Sequence, residues 1–187
     1  MTTTVCSRKT VLVPPLPRVG TFTVVLAASL LIALLAHVRF TLPFTPVPVT
    51  GQTLGVLLVA AALGARRGTA AVLAYLAEGA LGLPVFAGGS GMAYLFGPTG
   101  GYLLGFLAAA WVVGALAERG SERNLRTAWL AFLAGEAVIY AFGVPWLGLY
   151  VGFSRAVVLG FTPFLLGDLL KALFAGLLLP AAWRLQR

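Results

Sequence analysis

A chain of 187 residues with 60% hydrophobic and only 10% charged side chains, at mean hydropathy +0.99, lacks the polar surface of a water-soluble domain, where about a quarter of residues are charged. It reads as an all-α, polytopic membrane protein. The net charge of +8 would suit nucleic acid, but membrane proteins gather Lys and Arg in their cytoplasmic loops, and that distribution accounts for the excess here with no nucleic-acid partner.

Residues 1–19 form a tail before the first helix. Arg8 and Lys9 precede a short VLV run, which Pro14, Pro15 and Pro17 break before a signal-peptide core forms, so no cleaved leader is expected. Cys6 is the single cysteine, read as a reduced thiol that makes neither an intramolecular disulfide nor a metal site. No cofactor is implied.

From residue 20 to 187 the apolar runs between breakers predict one transmembrane domain of six helices, over 20–38, 52–63, 69–83, 99–117, 127–142 and 162–183. Two are short. The 52–63 helix reaches only about 18 Å against a hydrocarbon core of about 30 Å, and the 69–83 helix about 22 Å. Flanking irregular segments must complete those crossings, and such backbone survives at membrane depth only when buried in protein or lining a cavity. With a cytoplasmic N-terminus, the inner side carries Arg8, Lys9, Arg18, Arg66, Arg67, Arg119, Arg123, Arg126, Arg184 and Arg187 against Arg39 and Arg155 outside. Both termini are therefore expected in the cytoplasm of a multi-pass cell-membrane protein.

Two outer segments look built for a ligand. In 41–53, Pro43, Pro46 and Pro48 hold the chain extended, while Thr45, Thr50, Gln52 and Thr53 offer side-chain hydrogen bonds. In 84–101, glycines such as Gly88 let backbone groups approach a ligand, and Phe86, Tyr94 and Phe96 supply aromatic cover. No charged side chain falls between Gly79 and Ala117. The segment reads as a lid over an uncharged polar group.

The last predicted helix is interrupted by Asp168 and Lys171. Residues three apart share a helix face, and charges inside a membrane are expensive enough to mark a functional site. An internal ion pair is the plainer alternative. Glu78, Glu136 and Asp168 against Lys171 leave an acidic excess, which is balanced if Glu78 and Glu136 are neutral or lie near Arg39 and Arg155.

TPVPVTGQTLG over 45–55, LAYL over 73–76, GLPVFAGGSG over 82–91, GPTGGYLLGF over 97–106, IYAFGVPWL over 139–147 and PFLLGDLLKAL over 163–173 follow one another in order. Together they resemble the BioY family, the biotin-binding substrate subunits of energy-coupling-factor (ECF) transporters. The resemblance implies a six-helix protein that captures biotin and passes it to a transmembrane coupling (T) subunit driven by two ATP-binding-cassette ATPases. It also implies that Asp168 and Lys171 bind near the biotin carboxylate, Lys171 as its cation. Thr50, Gln52, Phe86, Gly88 and Tyr94 are the further substrate-binding candidates. Biotin's cyclic urea, with two N–H donors and a carbonyl, complements such hydroxyls, amides and loop backbone.

Ser29 and Ala33 form a small-xxx-small pair on the first helix, of the kind through which similar proteins meet their coupling subunit; internal packing is the alternative. Gly101 and Gly105 form a second pair, expected to pack inside the subunit. No phosphate-loop motif occurs, so the chain is read as no ATPase and no enzyme. Two other readings exist: a proton-coupled secondary carrier of a small anionic solute using Glu78 or Glu136, and an intramembrane serine protease with Ser90 as nucleophile and His37 as base.

Overall fold

The computed structural model describes residues 11–14 and 17–185. Cys6, Arg8, Lys9, Pro15 and Arg187 lie outside the described residues. The elements are α1 (Arg18–His37), β1 (Arg39–Phe40), β2 (Val49–Thr50), α2 (Gln52–Leu63), α3 (Ala65–Ala80), α4 (Met92–Leu95), α5 (Gly100–Glu118), α6 (Leu125–Val151), α7 (Phe153–Gly160) and α8 (Leu165–Leu185), with one 3₁₀ turn, Ser121–Arg123. Among the described residues four helices are long and apolar enough to cross a membrane, within α1, α5, α6 and α8.

The core is built around α5, which packs on α2, α3 and most extensively on α6. Side-chain-free positions permit this close approach. A Cβ at Gly105 would stand 3.0 Å from the Ile139 Cα of α6, and one at Gly101 would run into Trp146. The second small-residue pair therefore packs inside the subunit, as its spacing suggests. Helix α1 lies on α3 and α2, and α8 lies on α6 and α2.

The predicted helices at 20–38, 52–63 and 99–117 match α1, α2 and α5 within a few residues, and α3 begins four residues earlier than expected. The C-terminal third differs more. Helix α6 continues past the predicted stop at Phe142, through Pro145, to Val151. A membrane helix tolerates such a proline because neighbouring helices cover the freed backbone. After Gly152, at φ +85°, comes the unpredicted corner helix α7, and α8 starts only at Leu165.

Helix α7 is pinned at its end. Thr45 donates to the Leu159 carbonyl (2.7 Å) and Tyr102 to the Gly160 carbonyl (2.7 Å). These two bonds tie the 41–48 loop and α5 to the chain that feeds α8, which fixes where Asp168 and Lys171 emerge. The loop itself is closed by an antiparallel ladder pairing Arg39 with Thr50 and Phe40 with Val49.

Candidate functional site

At the end of the bundle carrying the two loops, a recess encloses about 530 Å³ of atom-free space, part of it open to solvent. Its floor comes from α6 and α8. Lys171 Nζ stands 2.9 Å from Asp168 Oδ1 and donates to Thr53 Oγ1 at 3.0 Å. Tyr140 donates to the other Asp168 oxygen, and Glu136 lies beside them, 4% exposed, with Oε2 making no hydrogen bond within the described protein. The i, i+3 spacing on α8 and the i, i+4 spacing on α6 aim four polar groups at one point.

The wall comes from α2 and the loop before it. Gln52 is buried and gives its amide N–H to the Tyr75 hydroxyl at 2.6 Å, while Tyr75 donates to the Val85 carbonyl at 3.1 Å. Gln52 keeps its amide oxygen and its second amide N–H for other partners. Val47, Pro48, Thr50, Ile139 and Phe164 also line the recess.

The cover is a folded aromatic unit rather than an open loop. Tyr94 stacks on Phe86 at 5.1 Å between ring centroids, Phe86 meets Tyr75 edge-on at 5.5 Å, and Tyr94 donates to the Ala87 carbonyl at 3.2 Å. The Gly91 N–H bonds the Gly79 carbonyl at 2.7 Å, anchoring the segment to the end of α3. Burial pushes the Tyr94 phenol above its usual pKa, so it stays a neutral donor at physiological pH.

Of the expected binding residues, the fold brings Thr50, Gln52, Tyr94, Asp168 and Lys171 into the recess. It does not bring Phe86 or Gly88. Phe86, 1% exposed, is the buried support under Tyr94. Gly88, at φ +108°, has the Arg39 guanidinium packed where a Cβ would stand, so its role is to make room for Arg39.

The partner-contact expectation for Ser29 and Ala33 also needs correction. Ser29 is fully buried and donates to Glu78 Oε1 at 2.7 Å, and Ala33 is 7% exposed. Both belong to packing inside the subunit, because the face of α1 that carries them meets α3. Of the two acids in the expected excess, Glu78 is bonded to Ser29 and Glu136 lies beside Lys171. The serine-protease pair is not assembled: His37 Nδ1 lies 2.8 Å from the Ala33 carbonyl of its own helix, and among the described residues no hydrogen bond joins it to Ser90.

Sequence reasoning missed Glu136, Tyr140, Tyr102 and Thr99 as lining residues. The first two had a usable signal, since their i, i+4 spacing puts a carboxyl and a phenol on one face of an otherwise apolar helix.

The BioY family model matches residues 7–187. The chain belongs to the BioY family. It is 40% identical over 163 residues to the Biotin transporter BioY of Rhizobium etli, covering 82% of this chain and 87% of that protein. Against the Biotin transporter BioY of Thermotoga maritima the identity is 45% over 139 residues, 73% of this chain and 81% of the relative. The crystal structure of an S-component for biotin from an ECF-type ABC transporter superposes with a TM-score of 0.77 at 25% identity, covering 91% of this chain and 95% of that one. BioY membership thus spans every residue of the recess.

Proposed function

We propose that this BioY protein is the biotin-capturing S component of an ECF-type ABC transporter, a substrate-binding subunit and not an enzyme, which works with a T subunit and two ATPases. The observation that carries the reading is the recess: a small, mostly apolar enclosure with convergent acceptors and one cation, under an aromatic cover. Asp168, Lys171, Thr50, Gln52 and Tyr94 bind the vitamin in this reading, joined by Glu136 and Tyr140. The bicyclic ring and valerate chain suit the apolar wall, and the polar ends suit the charged and amide groups.

In the same reading the chain crosses the membrane six times, α2 and α3 doing so with the help of the loops that precede and follow them. Both termini face the cytoplasm and the recess faces outward, supported by the segregation of Arg66, Arg67, Arg119, Arg123, Arg126 and Arg184 from Arg39 and Arg155. The surface offered to the T subunit is the open groove between α1 and α8, lined by Val24, Ala27, Leu31, Leu58, Leu178 and Ala182. These two helices are the least buried of the spans, and small side chains in the groove admit a helix closely.

Isothermal titration of the purified chain with biotin tests the reading. Stoichiometric binding without ATP or partners is expected, and a folded protein that gives no heat and retains no radiolabelled biotin overturns it. Buried Glu136 beside the recess is the one feature that favours a proton-coupled secondary carrier. Uptake by vesicles holding the full complex but no ATP would establish that reading instead.

A further inference from the structure

At the end of the bundle away from the recess, two arginines converge on one hollow. Arg123, in the 3₁₀ turn, and Arg184, near the end of α8, line it together with Asn124, Leu125, Leu177 and Ala181. It holds about 500 Å³ of atom-free space, part of it open to solvent. Its walls are the start of α6 and the end of α8, and both helices are long and apolar enough to cross a membrane. The hollow therefore sits where hydrocarbon gives way to water, on the cytoplasmic side in the proposed orientation.

Three features make its mouth positive. The Arg123 guanidinium carbon stands 4.9 Å from the centroid of the Trp183 ring, a cation–π contact that holds the charge in place. Arg184 lies exposed at the rim. Helix α6, 27 residues long, begins here at Asn124 with no side-chain cap, so the positive end of its dipole and its first N–H groups add to the two charges. Nearby acids offset little of this. Glu122 is buried, and burial raises its pKa and so weakens its hold on Arg123. Glu118 accepts the Ala65 N–H of α3 at 2.9 Å.

Deeper in, the lining changes character. Leu125 and Leu177 are apolar and exposed. Gly176 brings α8 close to α6, since a Cβ there would stand 3.2 Å from Leu125 Cδ1. Pro180 withholds the N–H that would bond the Gly176 carbonyl, which leaves an acceptor in the lining for a hydroxyl group. A free anion would use the arginines alone. A molecule with a phosphate, a hydroxyl-bearing headgroup and acyl chains uses the whole surface.

We propose that this hollow binds the headgroup of an anionic phospholipid, its phosphate between Arg123 and Arg184 and its acyl chains along Leu125 and Leu177. Basic pockets between spans at the cytoplasmic interface suit such headgroups in general. The residues that α8 gives to the hollow, Gly176, Leu177, Pro180, Ala181 and Arg184, lie on a different face from Leu178, Leu179 and Ala182 of the α1–α8 groove. Lipid here leaves both the groove and the recess free.

Native mass spectrometry and thermal-melt titrations of the full chain in detergent test this with dioleoylphosphatidylglycerol, zwitterionic dioleoylphosphatidylcholine and glycerol 3-phosphate. Phosphatidylglycerol should be retained and should raise the melting temperature at lower concentration than the other two. Arg123→Gln and Arg184→Gln should each weaken it about fivefold, and the double variant about twentyfold. Arg66→Gln, which removes a charge outside the hollow, should change it less than about twofold. Ala181→Trp fills the hollow and keeps every charge, so it should weaken phosphatidylglycerol as well; with Arg184→Gln it decides the matter if losing the Arg123 stack destabilises the double variant. Equal effects of the two lipids, a loss with Arg66→Gln as large as with either hollow arginine, or an Ala181→Trp variant that retains lipid normally would overturn the proposal. Glycerol 3-phosphate that competes as strongly as the lipid would make this a site for free phosphates and overturn it too.

Discussion

The recess under the cover and the groove between α1 and α8 are both hollows in one small bundle, and they are opposites. The recess is lined by threonines, tyrosines, an amide and three ionisable groups, most of them held in hydrogen bonds. The groove, with about 1010 Å³ of open space, has no polar side chain in its lining. Hydrogen-bonding groups are costly in hydrocarbon unless paired, so the chain concentrates them where a polar ligand arrives and removes them where lipid or a partner helix arrives. The difference separates two jobs: one hollow discriminates by chemistry, the other by shape. It can be broken from either side.

The largest effect is expected on the floor. Lys171→Ala leaves Asp168 with Tyr140 and next to Glu136, so an uncompensated charge stays buried; losing such a partner costs about 3–5 kcal/mol. Biotin affinity should fall at least about a hundredfold in equilibrium titration. Near wild-type affinity would make the Asp168–Lys171 pair an internal brace rather than part of the site.

Next comes the cover. Tyr94→Ala removes the ring stacked on Phe86 and the bond to the Ala87 carbonyl. Stacked aromatic contacts contribute about 0.5–1.5 kcal/mol beyond area burial, so a loss of roughly tenfold is expected, mainly as faster dissociation of biotin in stopped-flow. A change confined to the association rate would show that Tyr94 guards entry instead of holding the bound ligand.

The groove should respond in the reverse sense. Ala27→Trp projects into open space, and its effect on biotin binding should stay within about twofold while co-purification with the T subunit drops. Ala33→Trp is a different experiment. Ala33 is buried inside the bundle, and overpacking there costs roughly 1–3 kcal/mol or more, so both binding and thermal stability should suffer. If Ala27→Trp assembles normally, the T subunit uses another face.

How much of this was legible beforehand follows the same division. The apolar runs of α1, α2 and α5 and the Asp168–Lys171 face could be read because each is local: a continuous apolar stretch bounded by breakers, or two charges three residues apart on one helix. The α7 corner could not, since its position depends on bonds from Thr45 and Tyr102, far away in sequence. Phe86 and Gly88 carried correct motif signals but the wrong inference. A loop's composition tells that backbone and rings come close together, and only the fold tells that Phe86 meets Tyr94 and that Gly88 yields to Arg39. Ser29 failed in the same way, because a small residue is equally suited to a foreign helix and to the chain's own α3.

The smallest effect concerns buried carboxyls. At the recess end Asp168 is compensated by Lys171. At the opposite end Glu122, 1% exposed in the turn between α5 and α6, has its pKa raised chiefly by burial, with Arg123 pulling the other way. A carboxyl whose pKa is higher folded than unfolded binds its proton more tightly in the folded state. Its favourable contribution is complete below the unfolded value of about 4.3 and is lost as pH rises through the folded one. Glu122→Gln, neutral at every pH, should flatten that decline and raise the melting temperature at neutral pH without touching biotin binding, as followed by thermal unfolding in detergent across the acid-to-neutral range. A variant that melts below wild type at neutral pH would mean that the ionised carboxylate and Arg123 attract each other by more than burial costs, and the two ends of the molecule would then handle buried acid in the same way.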